Sequence, residues 1–314
     1  MDGLARLTGP VAGQPGIIMT GYDIGQVGYV LEEFFLDGTA TSYETAGPAG
    51  ADGYWQVTPS AQVPFTTRIV VCRPADPAAF TGTVILEWLN VSAGFDSPPH
   101  WMLTHRQVVR SGWAWVGVSA QRAGVEGGSI FDDAAAEPDG EAEPGAGSQR
   151  TVVLPALKES DPARYGGLHH PGDAFSFDIF AHAAHAVRSG AALGALPVEC
   201  LLAVGQSQSA IHLVSYANAV APGLPAQAEC DGYLIGSRTG FAAPLTGWDG
   251  RIRSGVDGAR VRTDGRWPVL TVQTESDVTG PLAGITARQP DSTRFRWWEI
   301  AGAAHADTYV FGPA

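Results

Sequence analysis

Runs of apolar residues, bounded by glycine, proline or polar residues, recur along the chain and predict its strands. Runs that are apolar at nearly every position are typical of strands in a sheet covered on both faces. The strands predicted in this way are residues 66–73, 83–89, 113–119, 201–204, 232–235, 269–273 and 295–300. Segments with helical spacing lie between several of these runs. This alternation predicts an α/β fold with a mostly parallel central sheet flanked by helices.

Three of the intervening segments are predicted to be helices. Residues 103–110 and 210–217 have apolar residues at helical spacing, and so does the segment that follows Asp173. The Asp173 carboxylate can cap this last helix, because the first N–H groups of a helix have no acceptor within it.

Two regions depart from the alternation of strands and helices. Residues 1–60 are rich in Gly, Thr and Tyr, and short alternating pieces at 33–36 and 54–57 predict antiparallel edge strands. Residues 121–171 have no clear periodicity, which is typical of a functional insertion, and we expect a lid or a wrapping loop there. The length permits one or two domains. We predict a single domain over residues 1–314, with 1–60 as a β-rich extension.

The stretch from residue 201 to residue 217 carries the strongest chemical signal. Four apolar residues are followed by Gly-Gln-Ser-Gln-Ser (205–209) and then by a helical pattern. A strand, a sharp turn with a central serine and a helix form the context of a nucleophile elbow, in which the serine hydroxyl projects above the sheet edge. We therefore predict that Ser207 is a nucleophile. Gly205 provides the small residue required before the turn, whereas Ser209 stands where the motif usually has glycine.

A serine hydroxyl needs an adjacent base, and the base needs an orienting acid, which lies between the serine and the histidine along such chains. Two histidines follow Ser207. His212 lies about one turn along the predicted helix and points away, whereas His305 lies in a loop of small residues after the last strand. We predict His305 as the base. Asp277 and Glu275 compete for the acid, and the usual position a few residues past the strand end favours Asp277.

The oxyanion formed during attack needs N–H donors already in place. One is the backbone N–H of Gln208, directly after the nucleophile. The second is predicted from the loop after residue 89, at Val91 or, as the alternative, at Ser92. Two further residues are candidates for substrate binding. Asn90 can line the site or only cap the strand, and Arg238 can contact substrate or brace a loop.

Composition limits the partners of the chain. The net charge is −13, with 19 Lys and Arg against 32 Asp and Glu, and no basic cluster offers a nucleic-acid footprint. Three cysteines are too few and too scattered for a disulfide framework or a zinc site. The histidines at 169–170 and at 182 and 185 lack a carboxylate at ligand spacing, so we predict no metal. With no signal-peptide pattern and no apolar run of about 18 residues, we expect a cytoplasmic protein without membrane contact.

Six segments carry a specific resemblance to a family of bacterial α/β-hydrolase-domain proteins. They are residues 87–92 (Glu-Trp-Leu-Asn-Val-Ser), 114–121 (Ala-Trp-Val-Gly-Val-Ser-Ala-Gln), 161–166 (Asp-Pro-Ala-Arg-Tyr-Gly), 170–175 (His-Pro-Gly-Asp-Ala-Phe), 205–209 and 304–309 (Ala-His-Ala-Asp-Thr-Tyr). The resemblance runs from about Glu33 to Tyr309 and implies a serine hydrolase acting on esters. Proteins of this type usually continue past the histidine loop with a further helix, whereas nine residues follow His305 here.

These observations combine into one functional hypothesis. We expect a hydrolase that cleaves a small-molecule carboxylic ester or lactone through an acyl intermediate on Ser207, with no cofactor. An acyltransferase would use the same three residues, with an alcohol or amine in place of water. A non-catalytic binding protein on the same fold is the alternative from another class.

Overall fold

A large β-sheet forms the centre of the computed structural model, which describes residues 4–128, 154–246 and 255–306. The strands are β1 (Arg6–Thr8), β2 (Tyr29–Thr45), β3 (Val57–Pro74), β4 (Thr83–Trp88), β5 (Ala114–Val118), β6 (Cys200–Gln206), β7 (Gly232–Gly236), β8 (Phe241–Ala242), β9 (Val256–Asp257), β10 (Val269–Thr274) and β11 (Phe295–Ile300). The α-helices are α1 (Pro99–Arg110), α2 (Arg122–Glu126), α3 (Leu157–Ser160), α4 (Pro162–Tyr165), α5 (Ser176–Arg188), α6 (Gln208–Ser215) and α7 (Glu275–Thr279).

The order of strands in the main sheet is β1-β2-β3-β5-β4-β6-β7-β10-β11, and β8 pairs separately with β9. From β5 to β11 every neighbouring pair is parallel, whereas β1, β2 and β3 join this core as antiparallel strands. The predicted mostly parallel α/β sheet is confirmed. After β4 the chain first adds β5 on one side and then returns to add β6 on the other. Loops from the carboxyl ends of β4 and β6 therefore meet at a switch point, where open α/β sheets bind ligands.

Helices cover both faces of the central strands. On one face α1 packs against β4 in an apolar cluster that contains Trp101 and Ile85. On the other face α5 and α6 pack over the same strands, with Phe180 and Leu213 in one cluster with Leu86. This two-sided burial explains why the sequence of the central strands is apolar at successive positions rather than alternating.

Helix α1 begins at Pro99, four residues before the start predicted from its spacing. The cause is a buried carboxylate on β4. Glu87 accepts the backbone N–H groups of His100 at 2.7 Å and Trp101 at 3.0 Å. Two N–H groups of the first turn, which have no acceptor within the helix, are satisfied in this way by a residue distant in sequence.

The first 60 residues differ from the prediction of short edge strands. Residues 33–36 lie within β2, a strand of 17 residues between β1 and β3, whereas residues 54–56 form no strand. β2 and β3 pair with each other from Tyr29 opposite Pro74 to Thr45 opposite Val57. A long antiparallel partner, rather than local alternation, sets the length of both strands.

The described flanks of the predicted insertion at 121–171 are packed against the rest of the molecule. The hydroxyl of buried Tyr165 accepts the Gly16 N–H at 2.8 Å and donates to Glu33 at 3.0 Å. The prediction that Asp173 caps the helix after it is wrong. Its carboxylate instead accepts the N–H of Arg122 at 2.8 Å, at the start of α2, because the fold brings the two flanks together. Residues 129–153 lie outside the described residues, so the lid stays a prediction.

The helices are short throughout the described ranges. The longest, α5, has 13 residues, whereas a membrane-spanning helix needs about 20 predominantly apolar residues. No helix in residues 4–128, 154–246 or 255–306 is long and apolar enough to cross a membrane.

Candidate active site

Ser207 occupies a sharp turn between β6 and α6, as the sequence predicts. Its backbone has φ +58° and ψ −120°, a region that residues with a side chain rarely adopt. Such conformations cost on the order of 1–3 kcal/mol and persist where the surroundings enforce them. Here the Ser207 N–H donates to Gly236 of β7 at 3.0 Å. A Cβ on Gly205 would lie 3.0 Å from the Ser209 carbonyl oxygen, so any larger residue would crowd the backbone of the first turn of α6.

Ser209, which stands where the motif usually has glycine, links the two sides of the turn by hydrogen bonds. Its hydroxyl accepts the N–H of Gln206 at 2.9 Å and donates to the carbonyl of the same residue at 3.0 Å. Ser209 is completely buried. The extra hydroxyl therefore ties the last residue of β6 to the first turn of α6, around the strained serine.

Replacing Ser209 by Ala is expected to lower the free energy of unfolding by about 1–3 kcal/mol, because the partly buried N–H of Gln206 loses its acceptor. Urea denaturation measures the change. Ser60→Ala is the matched control, since Ser60 is exposed and its hydroxyl donates to Glu44 at the surface. The control should stay within about 0.5 kcal/mol of the parent. Equal stability of the parent and Ser209→Ala would contradict this role of the hydroxyl.

Three side chains from segments that follow three strands meet at the carboxyl edge of the sheet. Ser207 Oγ lies 2.9 Å from His305 Nε2, and His305 Nδ1 lies 2.5 Å from Asp277 Oδ1. Ser207 follows β6, Asp277 lies on α7 directly after β10, and His305 follows β11. The geometry matches that of a nucleophile, a base and an orienting acid. The catalytic roles themselves stay predictions.

The environment of Asp277 favours its ionised form. The side chain is completely buried, and this burial by itself would raise its pKa. Hydrogen bonds outweigh that effect and the net pKa is lowered, because His305 faces one carboxylate oxygen and the Thr274 N–H donates to the other at 2.7 Å. A carboxylate kept ionised in this position can accept the Nδ1 proton of His305 and hold the imidazole in one orientation.

The competing carboxylate, Glu275, lies on the same short helix but serves a different contact. It is exposed, and its Oε2 accepts the N–H of Gly302 at 2.7 Å. The neighbouring Ser276 hydroxyl accepts the His305 N–H, also at 2.7 Å. Glu275 and Ser276 therefore hold the backbone of the histidine loop, and Asp277 holds the imidazole.

The predicted oxyanion donors lie close to the elbow. The Gln208 N–H belongs to the first turn of α6, where N–H groups have no acceptor within the helix. The Val91 N–H donates to the side-chain oxygen Oε1 of Gln208 at 3.3 Å, and the Ser92 N–H donates to Asn90 Oδ1 at 2.8 Å. Both alternatives for the second donor thus have an amide oxygen as acceptor in this structure. Their part in catalysis stays a prediction.

The structure places Asn90 as a brace rather than as an open amide lining the site. Its Nδ2 donates to the Gln206 carbonyl at 2.9 Å, and its Oδ1 is the acceptor of Ser92. The side chain is therefore engaged at both ends, joining the loop after β4 to the end of β6. Of the two alternatives stated from the sequence, the structural one fits this geometry.

Arg238 is likewise not positioned to present a charge to substrate. It is completely buried, and its guanidinium donates to the carbonyls of Thr239 at 3.0 Å and Ala259 at 2.5 Å. Burial lowers its pKa to about 9. Of the two alternatives stated from the sequence, loop bracing fits this geometry, because both bonds hold backbone segments that follow β7 and β9.

Several polar residues of the site were not singled out by sequence reasoning. Ser276 and Gln121 are examples, since neither belongs to a motif with a known chemical role. The sequence did, however, contain a pattern that favours one of the two candidate acids. Thr274 and Asp277 have the spacing of a capping box, which the structure contains, and this box identifies Asp277 as the constrained carboxylate of the pair.

The parallel sheet with a serine elbow at its switch point defines the α/β-hydrolase class of proteins. The family model described as alpha/beta hydrolase domain matches residues 5–313. The chain therefore belongs to this family, and the expectation from the sequence motifs is confirmed. A comparison with curated proteins finds no match.

Several solved structures of hydrolases are similar to the chain at low sequence identity. The serine hydrolase XC6422 from Xanthomonas campestris, described as lacking a lid, is 12% identical over 87% of both chains, with a TM-score of 0.40. The thermophilic esterase Est2 from Thermogutta terrifontis is 16% identical over 78% of this chain and 80% of its own, with a TM-score of 0.42. A lipase/esterase from Lactobacillus plantarum is 11% identical over 85% and 89%, with a TM-score of 0.44.

Proposed function

We propose that this chain is a serine esterase that cleaves a carboxylic ester or a lactone through an acyl intermediate on Ser207. The observation that carries the proposal is the continuous hydrogen-bonded series from Ser207 Oγ through His305 to Asp277, with distances of 2.9 and 2.5 Å. A nucleophile, a base and an orienting group at such distances are the arrangement required for acyl transfer to serine.

In the first half of the reaction Ser207 Oγ attacks the ester carbonyl carbon and its proton passes to His305 Nε2. The buried carboxylate of Asp277 accepts the Nδ1–H hydrogen bond and stabilises the imidazolium that forms. The carbonyl oxygen becomes an oxyanion, toward which the Gln208 N–H donates from the first turn of α6. Collapse of this intermediate expels the alcohol, which takes the proton from Nε2, and leaves the acyl group on Ser207.

The second half repeats these steps with water as the nucleophile. His305 removes a proton from water, the resulting hydroxide attacks the acyl carbonyl, and the Ser207 oxygen leaves with the proton from Nε2. The products are a carboxylic acid and the free enzyme. The exposure of the His305 side chain, about 35%, allows water to reach the imidazole.

The test is hydrolysis of p-nitrophenyl esters of increasing acyl length and of a γ-lactone, together with mass spectrometry of the protein quenched during turnover. We expect ester cleavage and a mass increase equal to the acyl group on the peptide that contains Ser207. A fluorophosphonate probe, which needs an activated serine, separates two failures. Labelling without ester or lactone cleavage overturns the substrate class, and the absence of both overturns the nucleophile.

A further inference from the structure

A chain of buried side-chain amides connects the interior of the protein to the predicted oxyanion loop. The Gln208 side chain lies between Val91, whose N–H donates to its Oε1 at 3.3 Å, and Gln121, whose Oε1 accepts from its Nε2 at 2.9 Å. Gln121 in turn accepts from the indole of Trp88 at 3.1 Å and donates to Asp173 at 3.3 Å. Gln121 is completely buried and Gln208 nearly so.

The NH₂ groups of Gln208 and Gln121 also contact the ring nitrogens of His212, at 3.3 and 3.4 Å, and the direction of those contacts depends on the tautomer. The direction of the bonds from Trp88 and Asp173 through Gln121 to Gln208 and Val91 is set by the far end of the series. An indole N–H only donates and an ionised carboxylate only accepts. Trp88 therefore fixes the oxygen of Gln121 on one side, and Asp173 fixes its NH₂ group on the other. Because the oxygen of Gln121 also faces Gln208, the Gln208 NH₂ group must point toward it. The Gln208 oxygen is then left to face the Val91 N–H.

The Val91 N–H needs such an acceptor in the free enzyme. Val91 is completely buried, and an unpaired buried N–H costs on the order of 1–3 kcal/mol. The bond from Val91 to Gln208 is long, at 3.3 Å, and its acceptor is neutral. Hydrogen bonds to charged acceptors are shorter and roughly twice as strong. An oxyanion formed within reach of the Val91 N–H would therefore compete for this donor with the neutral Gln208 oxygen.

We propose that Gln121 is a positioning residue, which acts through the Gln208 side chain to hold the Val91 N–H in place as the second oxyanion donor. The inference deepens the proposed function and rests on it for the identity of the reaction. It assigns to Gln121 no contact with substrate. Its effect on the rate arises because a donor already oriented needs no reorganisation when charge develops.

The experiment compares Gln121→Met, which removes the amide but keeps the chain length, with Gln56→Met, a control at an exposed glutamine far from the elbow. Rates are expressed per active site, titrated with a fluorophosphonate. We expect Gln121→Met to reduce both kcat for p-nitrophenyl butyrate and the rate constant of fluorophosphonate labelling by about ten- to a hundredfold, the size of effect that small misplacements of catalytic groups produce. The KM should stay within about twofold, as expected when an interaction made only in the transition state is lost.

A double variant that exchanges the amide and the carboxylate between residues 121 and 173 is expected to restore the rate. In Gln121→Glu the carboxylate still accepts from Trp88 and Gln208, but its second oxygen faces Asp173 at the position of the 3.3 Å contact. Adding Asp173→Asn places an NH₂ group opposite this second oxygen. The contact between residues 121 and 173 is then again a hydrogen bond, and the amide of Gln208 keeps its original orientation. The single variant should be slow, and the double variant should recover to within about threefold of the parent, since its amides are again oriented.

Three results would overturn the inference. The first is an unchanged or raised kcat per active site in Gln121→Met, and the second is a raised KM in that variant with no change in kcat. The third is a double variant as slow as Gln121→Glu. If Gln121→Met does not fold, Gln208→Met decides, because it keeps the backbone N–H and removes only the side-chain oxygen. Labelling rates decide the inference even if the parent cleaves no ester. A failure of the proposed substrate class is therefore distinguishable from a failure of the positioning role.

Discussion

Ser207→Ala is expected to reduce kcat for p-nitrophenyl ester hydrolysis by about five to six orders of magnitude, close to the loss found when the nucleophile of another serine hydrolase is removed. The hydroxyl is the only group of the residue that can attack, and it lies 2.9 Å from His305 Nε2. Labelling by a fluorophosphonate should disappear in the same variant. The fold should be retained, because the exchange removes one oxygen atom and leaves the backbone turn with a Cβ as before.

A second substitution at the same position separates chemistry from strain. Ser207→Gly should be equally inactive but should raise the free energy of unfolding by about 1 kcal/mol, since glycine adopts a positive φ without steric cost. Urea denaturation of the two variants measures the difference, with Ser60→Ala as the surface control. Activity comparable to the parent in either variant would remove Ser207 from the mechanism.

Asp277→Asn is expected to reduce kcat by about 10⁴, with little change in KM, whereas Glu275→Gln should cost about tenfold or less. The Thr274 N–H donates to Asp277 Oδ2, so the new amide will place its oxygen there and turn its NH₂ group toward His305 Nδ1. That nitrogen must then accept, and the imidazole carries its proton on Nε2, facing Ser207. In this tautomer the histidine cannot serve as a base. In Glu275→Gln the side-chain oxygen can still accept the N–H of Gly302.

The measurement is kcat and KM for both variants at pH 8, with active-site titration to count the folded enzyme. Thermal unfolding of both variants shows whether a loss of rate reflects a loss of structure. If Glu275→Gln were the crippled variant and Asp277→Asn nearly normal, the roles of the two carboxylates would be reversed. Equal, small effects of both would show that neither orients the base.

The strands and the nucleophile turn could be predicted because their signals are local. A run such as residues 83–89 is apolar at nearly every position along a buried strand, with Glu87 as a buried exception. The elbow around Ser207 needs only small residues at fixed positions in one short segment. The order of serine, acid and histidine along such chains, the position of His212 on the predicted helix and the usual place of the acid past a strand end together predicted His305 as the base and an acid in the turn after β10.

The choice between Asp277 and Glu275, by contrast, could not be made from charge, and spacing along the chain favoured Asp277 without showing what either carboxylate contacts. Both carboxylates lie on α7, two residues apart, and differ in which atom of the histidine loop each one faces. For the two substrate-binding candidates, too, the sequence did not show which groups their side chains contact. Asn90 and Arg238 are polar residues at the correct edge of the sheet, yet each donates to a backbone carbonyl of a segment that is distant along the chain.

The sequence by itself determined the class of sheet and the position of the turn that carries Ser207, because these depend on periodicity and on a few residues at fixed positions. The tertiary structure decided which polar groups are already engaged. Glu87 starts α1 early, Asp173 reaches α2 rather than its own helix, and the Gln121 amide sets the direction of the Gln208 side chain. Each of these bonds joins residues that are distant along the chain. A hydrogen bond depends on distance and angle in space, which no pattern along the chain specifies.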